Sequence, residues 1–309
     1  MDDTKLDRRG LLECMAWVGT GVVWTVAGGV PRSALIGSAE AATMKDGFTF
    51  AQISDSHIGF NKEANPDVAG TLKAAIEQVR SLPKRPAFMI HTGDVTHLSK
   101  PEEFDTAAQL IGGAGLDLHV VPGEHDMLVD NGQAYLQRYG KNTKGAGWYS
   151  FDHDGVHFVA LVNVADLKPG GMGRLGDEQL EWLEDDLKGR TAETPVVVFA
   201  HIPLWSVYPA WGWGTDDSAQ ALGYLKRFGS VTVLNGHIHQ VMQKVEGGVT
   251  FHTAASTAFV QPKPGEAASP GPMKVAPKRL RELLGTADIT FAPKSGHLAV
   301  VDHKLAEGA

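Results

Sequence analysis

Short, predominantly apolar runs recur along the chain at 50–53, 87–90, 118–121, 196–199 and 231–234. Runs of that length with no polar face read as strands buried on both sides, in sheets covered by helices. Between them the period lengthens. Residues 66–81 put Leu72, Ala75, Ile76 and Val79 on one face behind Pro66, and 177–187 do the same with Leu180, Trp182, Leu183 and Leu187. Further helices are expected at 101–110 and 218–228. Residues 148–151 and 156–164, joined at Asp154 and Gly155, read as a hairpin, as do 241–245 and 249–253 around Gly247 and Gly248. The stretch 261–277 is rich in Pro, Gly and Ala without a period and reads as a loop. A short basic helix at 278–284 and a strand at 297–302 close the chain. Strand–helix alternation first and hairpins later predict two mixed sheets packed together, with helices outside, in one domain.

Each of the five runs ends in a polar cluster. In order these hold Asp55 and His57; Gly93 and Asp94; Gly123, Glu124, His125 and Asp126; His201; and Gly236, His237 and His239. Singly, each has an ordinary explanation: a cap, a turn, a hydrated loop or a satisfied core histidine. Together they deliver imidazoles and carboxylates to the carboxyl ends of five strands, where open α/β sheets gather ligands. That donor set exceeds what one small ion needs. Asp55 and His57, two apart in an extended strand end, are expected to point the same way, and so are His237 and His239. His91 reads either as a hydrogen-bond partner of a ligand carboxylate or as a buried strand-end histidine.

This order of clusters resembles the calcineurin-like metallophosphoesterase family, whose pattern is Asp-x-His, Gly-Asp, Gly-Asn-His-Asp/Glu, His, Gly-His-x-His. The resemblance implies a four-layer αββα double β-sandwich and a centre of two metal ions: iron, manganese or zinc. It assigns Asp55, His57 and His239 to the first ion, Asp94 to both, and Glu124, His201 and His237 to the second. His125 matches the histidine beside the leaving group, with Asp126 as its expected orienting partner. The implied activity is hydrolysis of a phosphomonoester or phosphodiester by in-line attack of a metal-bridging hydroxide. Glu124 departs from the pattern, standing where the family has asparagine. It makes a third carboxylate in the centre, and the alternative it raises is a metal-bearing accessory protein with weakened catalysis. Within the family, cyclic-nucleotide or other nucleotide phosphodiesterases share the opening Asp-x-His. Purple acid phosphatases have glycine in place of His57, and their ligating tyrosine would fall at His97.

Composition narrows the partners. The 309 residues are 43% hydrophobic and 21% charged, which suits one sizeable α/β domain. A net charge of −8 excludes stable nucleic-acid binding, so a phosphorylated substrate requires local positive charge from metal. Trp205, Tyr208, Trp211 and Trp213 crowd the loop after His201, as a substrate surface or as a cap on the core. Lys274, Lys278, Arg279 and Arg281 either lend charge to the site or form a solvated face. Residues 1–41 read as a twin-arginine-type export signal: Arg8 and Arg9, an apolar stretch to Val30, then Ala39 and Ala41 flanking Glu40. This predicts cleavage after Ala41, the twin-arginine export machinery as partner, and a periplasmic or otherwise exported domain at 42–309. The alternative is an uncleaved membrane anchor. Cys14, the one cysteine, lies in that segment, so neither a disulfide nor a thiolate ligand is expected in the domain.

Overall fold

The computed structural model describes residues 21–27, 30–36, 47–293 and 297–305. Most of the expected export segment, with Arg8, Arg9, Cys14 and the cleavage point after Ala41, lies outside them. Its described part, Gly21–Ala27 (β1) and Val30–Ile36 (β2), forms an antiparallel hairpin pairing Gly21 with Ile36 and Ala27 with Val30. Among the described residues no helix is long and apolar enough to cross a membrane.

Two sheets organise the remainder. In the first, Thr49–Ile53 (β3), Met89–His91 (β4) and Leu118–Val120 (β5) run parallel. Gly285–Ala292 (β12) joins β3 antiparallel, and His297–Lys304 (β13) forms the edge beyond it. In the second, Val156–Ala160 (β7), Val196–Phe199 (β8), Val231–Asn235 (β9) and Val249–Thr253 (β11) are parallel. Tyr149–His153 (β6) and Met242–Glu246 (β10) are its antiparallel edges.

Because strand side chains alternate, runs apolar on both faces feed two layers at once. Phe50, Phe88 and Ile90 of the first sheet meet Phe158, Val197, Phe199 and Leu234 of the second in a core between the sheets. There Phe50 stacks on Phe88 at 5.1 Å and meets Phe158 edge-on at 5.3 Å, the geometries aromatic quadrupoles favour. The opposite face of β3 and β4, with Ala51, Ile53 and Met89, packs on Val68–Arg80 (α1) and Pro101–Gly112 (α2). Val159, Val196, Val198, Val231 and Val233 likewise pack on Asp177–Lys188 (α4) and Ser218–Leu225 (α5). The expected αββα layering is therefore the observed one, and each fully buried Phe or Leu adds about 1.5–3 kcal/mol.

Local chemistry sets the helix starts. Asp67 caps α1, its Oδ1 accepting the Gly70 N–H at 2.8 Å. Pro101 opens α2, and Glu103 folds back to accept the Leu98 N–H at 2.8 Å, which shapes the segment leaving the site. Besides the β1–β2 hairpin, two elements were not expected: the helix Gln133–Tyr139 (α3) and β12. β12 sends Ala287, Ile289 and Phe291 into the inter-sheet core. Its alternation was masked by a polar Gly-Thr start directly after the basic helix Pro277–Leu283 (α6), with no turn residues between.

Candidate metal centre

Every polar cluster sits just past a strand, at the carboxyl edges of β3, β4, β5, β8 and β9. There the chain turns sharply. Asp55, His57, Asp94, His237 and His239 all adopt positive φ, between 41° and 69°. Such left-handed backbone costs a non-glycine residue about 1–3 kcal/mol and concentrates at functional sites. It is held by pairing that continues beyond the strands: Asp55 N–H to Gly93 O at 3.0 Å and His57 N–H to Asp94 O at 2.9 Å. This corrects the expectation of extended strand ends. Turn geometry aims these side chains, and His237 and His239 go to different groups despite their spacing. Two glycines permit the crowding. A Cβ at Gly93 would lie 2.5 Å from His201 Nδ1, and one at Gly236 would lie 2.1 Å from Ser54 Oγ.

Asp55, His57 and His239 form one group whose ligand atoms lie within 4.8 Å of one another, all at most 2% exposed. His239 Nε2 is 3.3 Å from Asp55 Oδ1 and 3.2 Å from His57 Nε2. Asp55 accepts hydrogen bonds from Ser54 Oγ at 2.5 Å and the His237 N–H at 3.0 Å, and Ser256 Oγ donates to its carbonyl at 2.9 Å. His239 Nδ1 donates to Phe259 O at 2.6 Å, which turns Nε2 toward the group.

Glu124, His201 and His237 form a second group within the same span. Glu124 Oε1 is 3.0 Å from His237 Nδ1, and Oε2 is 3.0 Å from His201 Nε2 but off the line of a hydrogen bond. His201 Nδ1 donates to Thr92 O at 2.7 Å, again leaving Nε2 to face inward. Asp94 lies between the groups: its Oδ2 is 3.4 Å from both His57 Nε2 and His201 Nε2.

These residues fit a pair of cations. Glu124 Oε2 and His237 Nε2 are buried without hydrogen-bond partners. Because His239 donates its Nδ1 proton to Phe259 O, its Nε2 is left to face His57 Nε2 at 3.2 Å. With the His57 proton on Nδ1, a cation between the two nitrogens would be held by both lone pairs. The electrostatics agree. Burial opposes charge on Asp55 and Glu124, yet His239 pulls the first down to about 2, and His237 and His201 hold the second well below its usual range. Burial likewise disfavours a charged His201, but Asp94 and Glu124 outweigh it and raise its pKa well above the ordinary value. The His57 pKa falls well below its ordinary value, through burial and its imidazole neighbours His125, His239 and His97.

His125 stands beside the centre, its N–H donating to Asp94 Oδ1 at 2.9 Å. Burial lowers its pKa, but Asp94 and Glu124 reverse that and raise it overall, favouring the imidazolium. Asp126 is not its orienting partner. Asp126 accepts from the N–H groups of Val95, Thr96 and Gly123 at 3.0, 2.8 and 3.0 Å and from Thr96 Oγ1 at 2.7 Å. It clamps the loops after β4 and β5 together. Burial and Asp94 push its pKa up to about 6, and those four donors favour the carboxylate at neutral pH. The group holding His125 is instead the carbonyl of His97, 2.7 Å from His125 Nδ1.

The aromatic loop divides. Trp205 and Trp213 are buried, Trp205 against Phe251 at 5.1 Å, so they belong to the core rather than to an open substrate surface. Tyr208 and Trp211 are half-buried and meet edge-on at 5.1 Å. Lys274 pairs with Glu63 and Arg279 with Glu282, both exposed, which is the solvated-face alternative. His91 touches no ligand carboxylate: its Nδ1 accepts the Gly93 N–H at 3.2 Å and its Nε2 meets Ser56 Oγ at 2.8 Å. Ser54, Ser256, Phe259 and His97, all in contact with proposed ligands or His125, were missed; small hydroxyls and carbonyls carry no spacing signal.

The sequence profile of the calcineurin-like phosphoesterases matches residues 48–241. A glycerophosphodiester phosphodiesterase of Enterobacter lignolyticus is 24% identical over 227 residues, 69% of this chain and 78% of its own. A probable cyclic nucleotide phosphodiesterase of a Psychrobacter species is 24% identical over 205 residues, 63% of this chain and 58% of its own. Among solved structures, a dimetal phosphatase from Danio rerio superposes with a TM-score of 0.58 at 16% identity, over 84% of this chain and 98% of its own. A purple acid phosphatase from yellow lupin seeds reaches 0.62 at 14% identity, over 85% of this chain and 52% of its own, a likeness of fold. With the profile spanning well over half of the chain, and the two His–carboxylate groups at its strand ends, the chain belongs to the calcineurin-like phosphoesterase family, a family of metal-dependent hydrolases of phosphate esters.

Proposed function

We propose that this protein hydrolyses small phosphodiesters at a centre of two metal ions, with phosphomonoesters as the weaker substrates. The observation that carries the proposal is Asp94 Oδ2, 3.4 Å from an imidazole of each triad, where one carboxylate serves both positions. The names of the two curated relatives support the diester. Two ions held there would neutralise the phosphoryl oxygens and acidify a water. The chain's own part is to hold them, through Asp55, His57 and His239 on one side and Glu124, His201 and His237 on the other.

His125 would donate a proton from its side chain to the departing oxygen, since Asp94 and Glu124 favour its charged form. A purely metal-bearing accessory protein has no use for such a donor, which favours the enzyme. Glu124 is read as a working ligand that reaches both imidazoles of its triad and tightens ion binding there. Residues 1–41 are read as an export signal of the twin-arginine type that delivers the domain to the periplasm. N-terminal sequencing of exported material should begin at Ala42, and material that keeps Arg8 and Arg9 on the membrane would contradict cleavage.

For the activity, the purified protein is loaded with iron, manganese or zinc, its ions are counted, and bis-p-nitrophenyl phosphate is compared with p-nitrophenyl phosphate. Turnover of the diester that is lost in His125→Ala supports the proposal. Two bound ions without turnover of either ester would sink it.

A further inference from the structure

His97 lies outside every motif that defines the centre, yet it touches two of its histidines. Its Nδ1 is 3.4 Å from His57 Nδ1, and its carbonyl oxygen is 2.7 Å from His125 Nδ1. Its ring is nearly parallel to that of His125, with centroids 4.8 Å apart and an interplanar angle of 18°. Phe60 meets the same ring edge-on at 5.2 Å. The backbone is fixed as well, the His97 N–H donating to Ile58 O at 2.9 Å, next to His57 itself.

An imidazole that offers Nε2 to a cation carries its proton on Nδ1, and that proton needs an acceptor. For His201 the acceptor is Thr92 O and for His239 it is Phe259 O, both main-chain carbonyls. For His57, whose Nε2 faces Asp94 and His239, the group at the corresponding place is the His97 side chain. Main chain and side chain of one residue therefore serve different neighbours.

We infer that His97 is a positioning residue: its side chain accepts the His57 Nδ1–H and so aims His57 Nε2 at the first ion, while its carbonyl holds the His125 ring at the leaving-group side. The inference rests on the reading of the two triads as ion sites. His57, His97 and His125 also lie within ligand distance of one another, but a third ion there is a worse account. It would require His57 to bind through both nitrogens at once, Nδ1 toward His97 and Nε2 toward the first group.

The test is a calorimetric titration of metal-free full-length protein with Mn2+ or Zn2+, which reads each binding event without turnover. His97→Phe keeps the bulk, the stack on His125 and the carbonyl, but removes the acceptor. His97→Asn restores an acceptor near the Nδ1 position. One of the two binding events should weaken by about 10- to 100-fold in the Phe variant and return to within about threefold of wild type in the Asn variant. The other event is the internal control for folding and should stay put. The inference is overturned if His97→Phe changes neither event, weakens both alike, or matches His97→Asn. A wild-type protein that binds no ions overturns this inference and the proposed function together. Two bound ions without hydrolysis would sink the proposed function alone and leave the His97 result to stand on its own.

Discussion

The two triads use the same ligand types and differ in how firmly their surroundings hold them. Around Asp55, His57 and His239 the outer partners are in place: Ser54 Oγ and the His237 N–H on the carboxylate, and Phe259 O behind His239. The other triad is looser and wetter. Side chains of Glu124 and His237 are 23% and 11% exposed, and each keeps a polar atom without a hydrogen bond. Preorganised ligands lose little freedom on binding, whereas loose ones must be ordered by the ion itself. The contrast predicts a tightly held first ion and a second that exchanges more readily.

Asp94 is where this contrast is most easily broken, because it belongs to both sides. Asp94→Asn should weaken both ion-binding events and lower phosphodiester turnover by more than about a hundredfold, beyond the 10- to 100-fold range of outer partners. If a single event weakens, Asp94 is no bridge. Glu124→Ala should act on one side, weakening the second ion by more than the loss of about 10- to 100-fold typical of an outer partner and leaving the first. Turnover lost at limiting metal should then return with excess metal. Activity that stays low at saturating metal would mean that Glu124 does more than hold the ion.

The unequal triads were only partly legible in the sequence. The strand runs were, because a segment apolar on both faces has one comfortable place, between two layers. Asp55, Asp94, His201 and their fellows were legible as a set, because each follows such a run. Their aim was not. Five left-handed residues turn the chain in ways that spacing along an extended strand cannot express, and His237 and His239 part company as a result. Asp126 looked like the partner of its neighbour His125, but a carboxylate surrounded by three N–H groups binds those first. β12 hid because its alternation begins on Gly and Thr without a preceding turn. His97 hid because an isolated histidine after a Gly-Asp motif is ordinary until the fold brings His57 beside it.

A finer test of the firm triad is Ser54→Ala. It removes the 2.5 Å hydrogen bond to Asp55 Oδ2 but leaves the His237 N–H in place. About a tenfold loss in first-ion affinity is expected, at the low end for an outer partner, with the second ion unchanged. An equal loss at both ions would mean that the two surroundings are mechanically one.

The smallest effect concerns the floor beneath the firm triad, and it has a sign. His91 is buried between Ser56 and Gly93, and burial pushes its pKa down to about 3, with Asp55 opposing. Its Nδ1 must stay unprotonated to accept the Gly93 N–H, on the turn that carries Asp94. The unfolded chain takes up that proton near pH 6.5, the folded one only near 3. The stability His91 contributes is therefore complete above pH 6.5 and is lost as the pH falls through that window, by up to about 1.4 kcal/mol per pH unit. His91→Gln removes this titration and, at neutral pH, the Gly93 hydrogen bond, costing about 1 kcal/mol. Urea midpoints of the two metal-free proteins should then converge on acidification and cross between about pH 5 and 6. Other histidines titrate in both proteins and cancel in the difference, so parallel curves would mean that His91 is not held neutral by the fold.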